Sequence, residues 1–162
     1  MEPLDEIAAR LNAQLHDISA DETGFAGPLR PGEHLPSVAV VAHGLPQPLA
    51  SHTGGAYQCL LFLGEEGRLD GEVLAELHAL LRQPVPVLPL LVSGRALQVP
   101  GFDTVIDAGD ELARLCDARP GTVYLLGPDR RVVARWRSLS LPFIDEAIAR
   151  YQAAGGARLP TA

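Results

Sequence analysis

GTVYLLGPDRRVVARWR, residues 121–137, sets two short apolar runs on either side of a Gly-Pro-Asp-Arg turn. Runs of four to eight apolar residues bounded by turn signals read as strands, and a Gly/Pro turn between two of them closes a hairpin. The expectation is a strand over 121–126, a turn over 127–130 and a strand over 131–136. Successive side chains of a strand alternate in direction, so Arg135 and Arg137 share one face and Trp136 takes the other. Two readings of that end stay open. Trp136 is a partner-facing anchor of the kind enriched in interfaces, or it packs on the next helix while both arginines point to water.

Working upstream from the hairpin, YQCLLFLG (57–64) is a second continuous apolar run, as expected for a strand covered on both faces. Asp70 then offers an N-cap to a helix whose inward stripe is Val73, Leu74, Leu77, Leu80 and Leu81, stopping at Gln83-Pro84. VPVLPLLVSG (85–94) is another buried strand, with Pro84, Pro86 and Pro89 pushing its start toward a sheet edge or an extended lead-in. FDTVIDAGDELARLCDA (102–118) combines a short strand, Asp107 as a cap, and a helix using Leu112, Leu115 and Cys116. Downstream of the hairpin, Phe143, Ile144, Ala147, Ile148 and Tyr151 mark a last helix that Gly155-Gly156 ends. SVAVVA (37–42) reads as a short strand and residues 43–56 as a loop.

The order β-α-β, then a helix, then β-β-α is the parts list of a thioredoxin-like fold. The fold class expected is α/β, a mixed central sheet with helices on both faces, a closing β-hairpin and a C-terminal helix. Outside it lie a helix over 4–15, striped with Leu4, Ile7, Leu11 and Leu15, and a Gly/Pro-rich arm over 16–36. The domain reading is therefore 1–36 helix and arm, 37–155 thioredoxin-like domain, and 156–162 disordered tail.

A chain of 162 residues suits one such domain, and its net charge of −7 argues against sequence-independent nucleic-acid binding. The charge is uneven. Residues 1–76 hold three Arg against twelve acids, residues 77–162 ten Arg against eight, and there is no Lys. The second half is thus the better candidate for docking an acidic surface. No apolar stretch reaches membrane-spanning length, and the acidic, amphipathic start is unlike a secretion signal, so the expected location is the cytoplasm.

LRPGEHLPSVAV (29–40) and GTVYLLGPDRRVVARWR resemble the thioredoxin-like C-terminal domain of flavin-dependent aromatic-ring hydroxylases, the phenol-hydroxylase-like monooxygenases. That family's closing hairpin reads as an apolar strand, an Arg-Pro-Asp-Gly turn and a strand ending in Trp-Arg. Pro128, Asp129, Trp136 and Arg137 fit it, while Gly127 and Arg130 depart from it. Residues 10–25 are similar to the segment that joins the flavin domain to this one. No GxGxxG dinucleotide fingerprint is present. The resemblance implies an accessory domain without the flavin domain, without an active site of its own, and engaged in dimer contacts.

The residues that carry chemistry elsewhere point the same way. A thioredoxin nucleophile belongs at the helix start after the first core strand, where the dipole and solvent lower its pKa. Here that stretch, GEEGRLDG (64–71), offers Glu65 and Glu66 but no thiol. The two cysteines, Cys59 and Cys116, lie in apolar runs where a thiol behaves as a small hydrophobe. Glu65 and Glu66 are expected as solvated loop charges. His16, His34, His43, His52 and His78 lack ligand spacing, although His34, His43 and His52 are candidates to meet in space. Ser93 reads as a turn residue. Arg119-Pro120-Gly121 stands where thioredoxin-like folds place a cis-proline, and an ordinary trans turn is expected.

The functional expectation is a non-catalytic module that binds itself or a flavoprotein hydroxylase. It assigns no catalytic, cofactor or metal residue, and the interface candidates are Leu4, Ile7, Leu11, Leu15, Arg135, Trp136 and Arg137. Its rival is a stand-alone oxidoreductase of the thioredoxin-like superfamily acting on a small molecule or a thiol.

Overall fold

A computed structural model of the chain describes Phe25 and residues 29–64, 69–97 and 99–155. The helix expected over 4–15, with Leu4, Ile7, Leu11 and Leu15, lies outside the described residues, as do Glu65, Glu66, His16 and the tail from 156.

Seven strands form one sheet in the order β2-β1-β5-β4-β3-β6-β7. Its centre is parallel: β3 (Tyr57–Gly64) pairs with β4 (Val87–Ser93), and β4 with β5 (Asp103–Ile106). Helix α1 (Gly71–Leu81) makes the crossover from β3 to β4, capped as expected by the Asp70 carboxylate, which accepts from the Val73 amide at 2.8 Å. The hairpin of β6 (Val123–Leu126) and β7 (Val132–Trp136) adds antiparallel to β3. On the far side β1 (Ala39–Ala42) meets β5 antiparallel at Val41 and Ile106.

Alternation along β3 divides the core. Tyr57, Cys59 and Leu61 face Leu77 and Leu80 of α1 and Ile144, Ala147 and Tyr151 of α3 (Leu141–Ala153). Leu60 and Phe62 face the other way, into a cluster with Leu112 of α2 (Glu111–Leu115), Cys116, Tyr124 and the arm residues Phe25, Leu29 and Leu35. Helices therefore cover both faces.

One feature differs from the sequence reading. Within the expected loop, β2 (Leu45–Pro48) pairs antiparallel with β1 across a two-residue turn, His43 and Gly44, both at positive φ (53° and 77°). Such a turn matches strand twist, and Pro46 and Pro48 are tolerated because β2 is an outer strand. Of the two readings of the prolines, the lead-in is found: Pro84 and Pro86 precede β4, which is a central strand, and the half that holds Pro89 pairs with β3 alone because β5 first meets β4 at Leu90. Among the described residues no helix is long and apolar enough to cross a membrane.

Candidate functional site

Gly64 ends β3, Ser93 ends β4 and Asp107 follows β5, so three parallel strands finish on the same side of the sheet. Open α/β sheets receive ligands outside such carboxyl ends. A cavity of about 480 Å³ lies there, floored by Phe62 and Val92 and bordered by the turn that holds Arg119 and Pro120.

Each wall has a local cause. Asp107 is buried, with both carboxylate oxygens engaged: Oδ1 accepts from the Leu112 amide and Oδ2 from the Ala113 amide, each at 2.9 Å. It thereby fixes the start of α2, as the sequence suggested. Opposite it, the 119–122 turn is stitched to β3 by two backbone bonds, from Gly121 to the Phe62 carbonyl and from Phe62 to that of Thr122. Pro120 then lies directly on Gly64, and a β-carbon at Gly64 would stand 2.9 Å from its Cγ. The Arg119-Pro120 peptide is trans, as is every peptide among the described residues. Ser93 is buried at the cavity wall, and its hydroxyl accepts from the Arg95 amide, a turn role.

Neither thiol faces this cavity. Cys59 and Cys116 are both 0% exposed. Burial pushes the Cys59 thiol up to about 12. Cys116 is also raised to about 12, by burial first and by the Asp107 charge second, against smaller lowering effects of Arg135 and a hydrogen bond with Tyr124. Cys59 belongs to the cluster under α1 and α3, Cys116 to the cluster on the opposite face.

The interface candidates at the end of β7, Arg135, Trp136 and the following Arg137, are built into the domain. Trp136 is 2% exposed and packs in the cluster beneath α3, so its place is in the core, and its indole N–H meets no acceptor among the described residues. Arg135 and Arg137 do not point to water. Arg135 is also 2% exposed and donates to the carbonyl of Leu29 and to the Tyr124 hydroxyl. Arg137 donates to the Asp117 carboxylate at 2.9 Å and to the Thr122 hydroxyl at 3.1 Å. Their guanidinium carbons lie 4.6 Å and 3.9 Å from the centroid of the Phe25 ring. The two arginines hold the arm down.

The histidines divide. His43 and His52 border a second cavity of about 670 Å³ beside β5, where His52 pairs with the Gln47 amide oxygen at 2.9 Å. His34 bridges to Arg131 at the opposite side of the sheet, and His78 rests on the Phe102 ring. Among the described residues no group of three or more His, Cys, Asp or Glu is placed to hold a metal ion.

Arg114 and Arg119, which border the first cavity, were not picked out as site residues from the sequence. The available signal was positional: Arg114 lies in the helix that follows β5, and Arg119 opens the turn against the end of β3.

The architecture is that of a thioredoxin-like fold: a mixed sheet, helices on both faces, and a terminal hairpin and helix. Solved structures carry it at low identity. A flavin-dependent monooxygenase, PieE, solved with FAD and substrate, matches at 20% identity and a TM-score of 0.54, over 81% of this chain and 20% of its own. This chain thus spans only about a fifth of that monooxygenase. A thiol-disulfide oxidoreductase from Bacteroides fragilis matches at 17% identity and a TM-score of 0.56, over 72% of this chain and 98% of its own. A thiol peroxidase from Chromobacterium violaceum matches at 12% identity and a TM-score of 0.60, over 81% and 91%. At these identities the likeness is one of fold. No protein-family model and no curated protein matches the sequence.

Proposed function

We propose that this chain is a thioredoxin-like module that works by binding, to a second copy of itself or to a flavoprotein hydroxylase, without thiol chemistry of its own. The observation that carries the reading is the state of the thiols. A nucleophilic cysteine needs access and a lowered pKa, whereas Cys59 and Cys116 are fully buried and raised to about 12. The Pro128-Asp129 turn with Trp136 and Arg137, and the likeness to part of a flavin-dependent monooxygenase, support the hydroxylase connection.

A second reading, an oxidoreductase of the thioredoxin-like superfamily acting on a small molecule or a thiol, draws on coverage. The chain spans 98% of the thiol-disulfide oxidoreductase and 91% of the thiol peroxidase, against 20% of the monooxygenase. Coverage favours this reading over the accessory one. The buried thiols oppose only those versions of it in which Cys59 or Cys116 is the nucleophile.

Titration of the native protein with a chromogenic thiol reagent, beside disulfide-reduction and peroxide-consumption assays, separates the two. Labelling only on unfolding, with no turnover in either assay, supports the module. Turnover establishes the oxidoreductase, and its loss in Cys59→Ser or Cys116→Ser identifies the thiol.

A further inference from the structure

Helices cover one face of the sheet only in part. The core beneath α1 and α3 is drawn from β3, β4, β6 and β7, and among the described residues it takes no member of β5, β1 or β2. Val105, Val40 and Ala42 turn to the opposite cluster. By strand alternation Thr104, Ile106 and Val41 therefore look out on the face that α1 and α3 leave bare. Ile106 and Val41 are direct partners across β5 and β1, and Pro46 of β2 stands opposite Val41. All four are at least partly exposed. Leu97, Val99 and Phe102 pack against the border of the covered core and wall this strip, and the Thr104 hydroxyl donates to the Leu97 carbonyl at 2.8 Å. The second cavity, of about 670 Å³, joins the strip to its wall. Arg95 and Asp103 border it with His43 and His52, one formal charge of each sign, so the apolar strip and not a net field selects the occupant.

We infer that this strip is the docking groove for the 4–15 stretch of a second copy of the chain, filled by its Leu4, Ile7, Leu11 and Leu15. The inference rests on the module reading and names the surface through which the module binds itself. Twelve residues in helical form are about 18 Å long, comparable to a strip three strands wide at about 4.8 Å spacing. Reach favours a second copy over the chain's own stretch. Phe25 lies over β6 and β7 on the opposite face, about four strand spacings or roughly 19 Å from β5 and β1. A tether from Leu15 to Phe25 spans at most about 36 Å fully extended, and passing round the strand ends to the other layer uses it up. A second copy meets no such limit, and a two-fold axis lets each copy fill the other's groove.

Cross-linking of introduced cysteines tests it, because both native thiols are buried. Ala8→Cys, within the stretch, and Ala39→Cys, exposed on β1 and two residues from Val41 on the same face, go into separate full-length chains. Mixed at tens of micromolar with a short bismaleimide, they should give a heterodimer product, identified by mass. Its yield should be at least about tenfold that from Ala8→Cys mixed with Glu146→Cys, an exposed position on α3. Val41→Thr and Ile106→Thr keep a β-branched residue in the strand and place a hydroxyl in the contact. Each should weaken the dimer about tenfold or more in sedimentation equilibrium, the loss expected for an unpaired buried hydroxyl. A dimer that gives no excess of the heterodimer product, or an unaltered dissociation constant in both threonine variants, overturns the groove while leaving self-association standing. A product formed within one chain that carries both cysteines, at a dilution where that chain is monomeric, gives the groove to the chain's own stretch and overturns the second copy. A monomeric intact chain overturns the inference together with the self-binding reading.

Discussion

Cys59 and Cys116 pack on opposite faces of the sheet, so the two buried thiols cannot meet in a disulfide within the fold. Their burial has a consequence for stability. Each thiol titrates near 9.0 when free and is raised to about 12 in the fold. A folded pKa above the unfolded one means that, between these limits, the unfolded chain has released protons the native one still holds. Stability is then complete below pH 9 and falls as pH rises toward 12. Urea unfolding should show a loss of roughly 2 kcal/mol per thiol between pH 8 and 10.5, and Cys116→Ala should remove its share of the slope. A flat profile would show that the thiols are wetter than their surroundings imply. A second residue-scale outcome concerns Gly64, which combines a φ of 71° with the Pro120 ring against it. Gly64→Ala should cost roughly 1–3 kcal/mol. In a Pro120→Ala background the steric part should shrink while the backbone part remains, an interaction that a double-mutant cycle reads directly.

At the scale of elements, the arm behaves as an extra edge of the sheet. The Gly32 amide donates to the Val132 carbonyl, Val132 returns a bond to Glu33, and Leu35 donates to the Arg130 carbonyl, so the start of β7 is covered on its outer side. Phe25 closes the strap by lying edge-on to Tyr124 and beneath Arg135 and Arg137. Phe25→Ala should therefore cost about 2–4 kcal/mol, apolar burial and cation–π attraction together, whereas Phe25→Leu should recover most of the burial part. Equal losses in the two variants would assign the whole effect to the cations. None of this was legible locally, because Arg135 finds the Leu29 carbonyl across 106 positions of sequence. The elements that were legible, β3, α1, β4, the hairpin and α3, are those whose apolar period is long and whose caps or turns stand beside it. β2 escaped because LPQP carries no apolar alternation and two prolines, and only its position at the sheet edge makes it a strand. The cavity escaped for a related reason. Its walls come from residues near 64, 93, 107 and 119, which only the parallel topology brings together.

For the whole molecule, the two sheet edges decide how a second copy can approach. One edge is β2, with Pro46 and Pro48 unable to donate to a new strand, and the other is β7, whose start is paired with the arm. Edge-to-edge pairing is disfavoured on both sides, so self-association has to come from another surface. The stripe Leu4, Ile7, Leu11 and Leu15 is the sequence feature with that capacity. Burying four such side chains per copy is worth roughly 2 kcal/mol each, against an association cost of about 4–15 kcal/mol. For two copies that is about 16 kcal/mol, so about 1–12 kcal/mol remains, a range that includes the roughly 8 kcal/mol of a micromolar dimer. The truncation that tests this has to spare the strap. A chain starting at Leu35 would lose Phe25 and the Leu29 carbonyl and leave the buried Arg135 short of an acceptor, so failure to dimerise could not be told from failure to fold. A chain starting at Gly24 keeps both. Sedimentation equilibrium at tens of micromolar should find the intact chain dimeric and the chain from Gly24 monomeric, with the melting temperature of the monomer unaltered by further dilution. If the two chains sediment with the same association state, the 4–15 stripe does not mediate self-association. The hydroxylase partner, with the Arg-rich second half of the chain as its docking side, is then the reading to pursue.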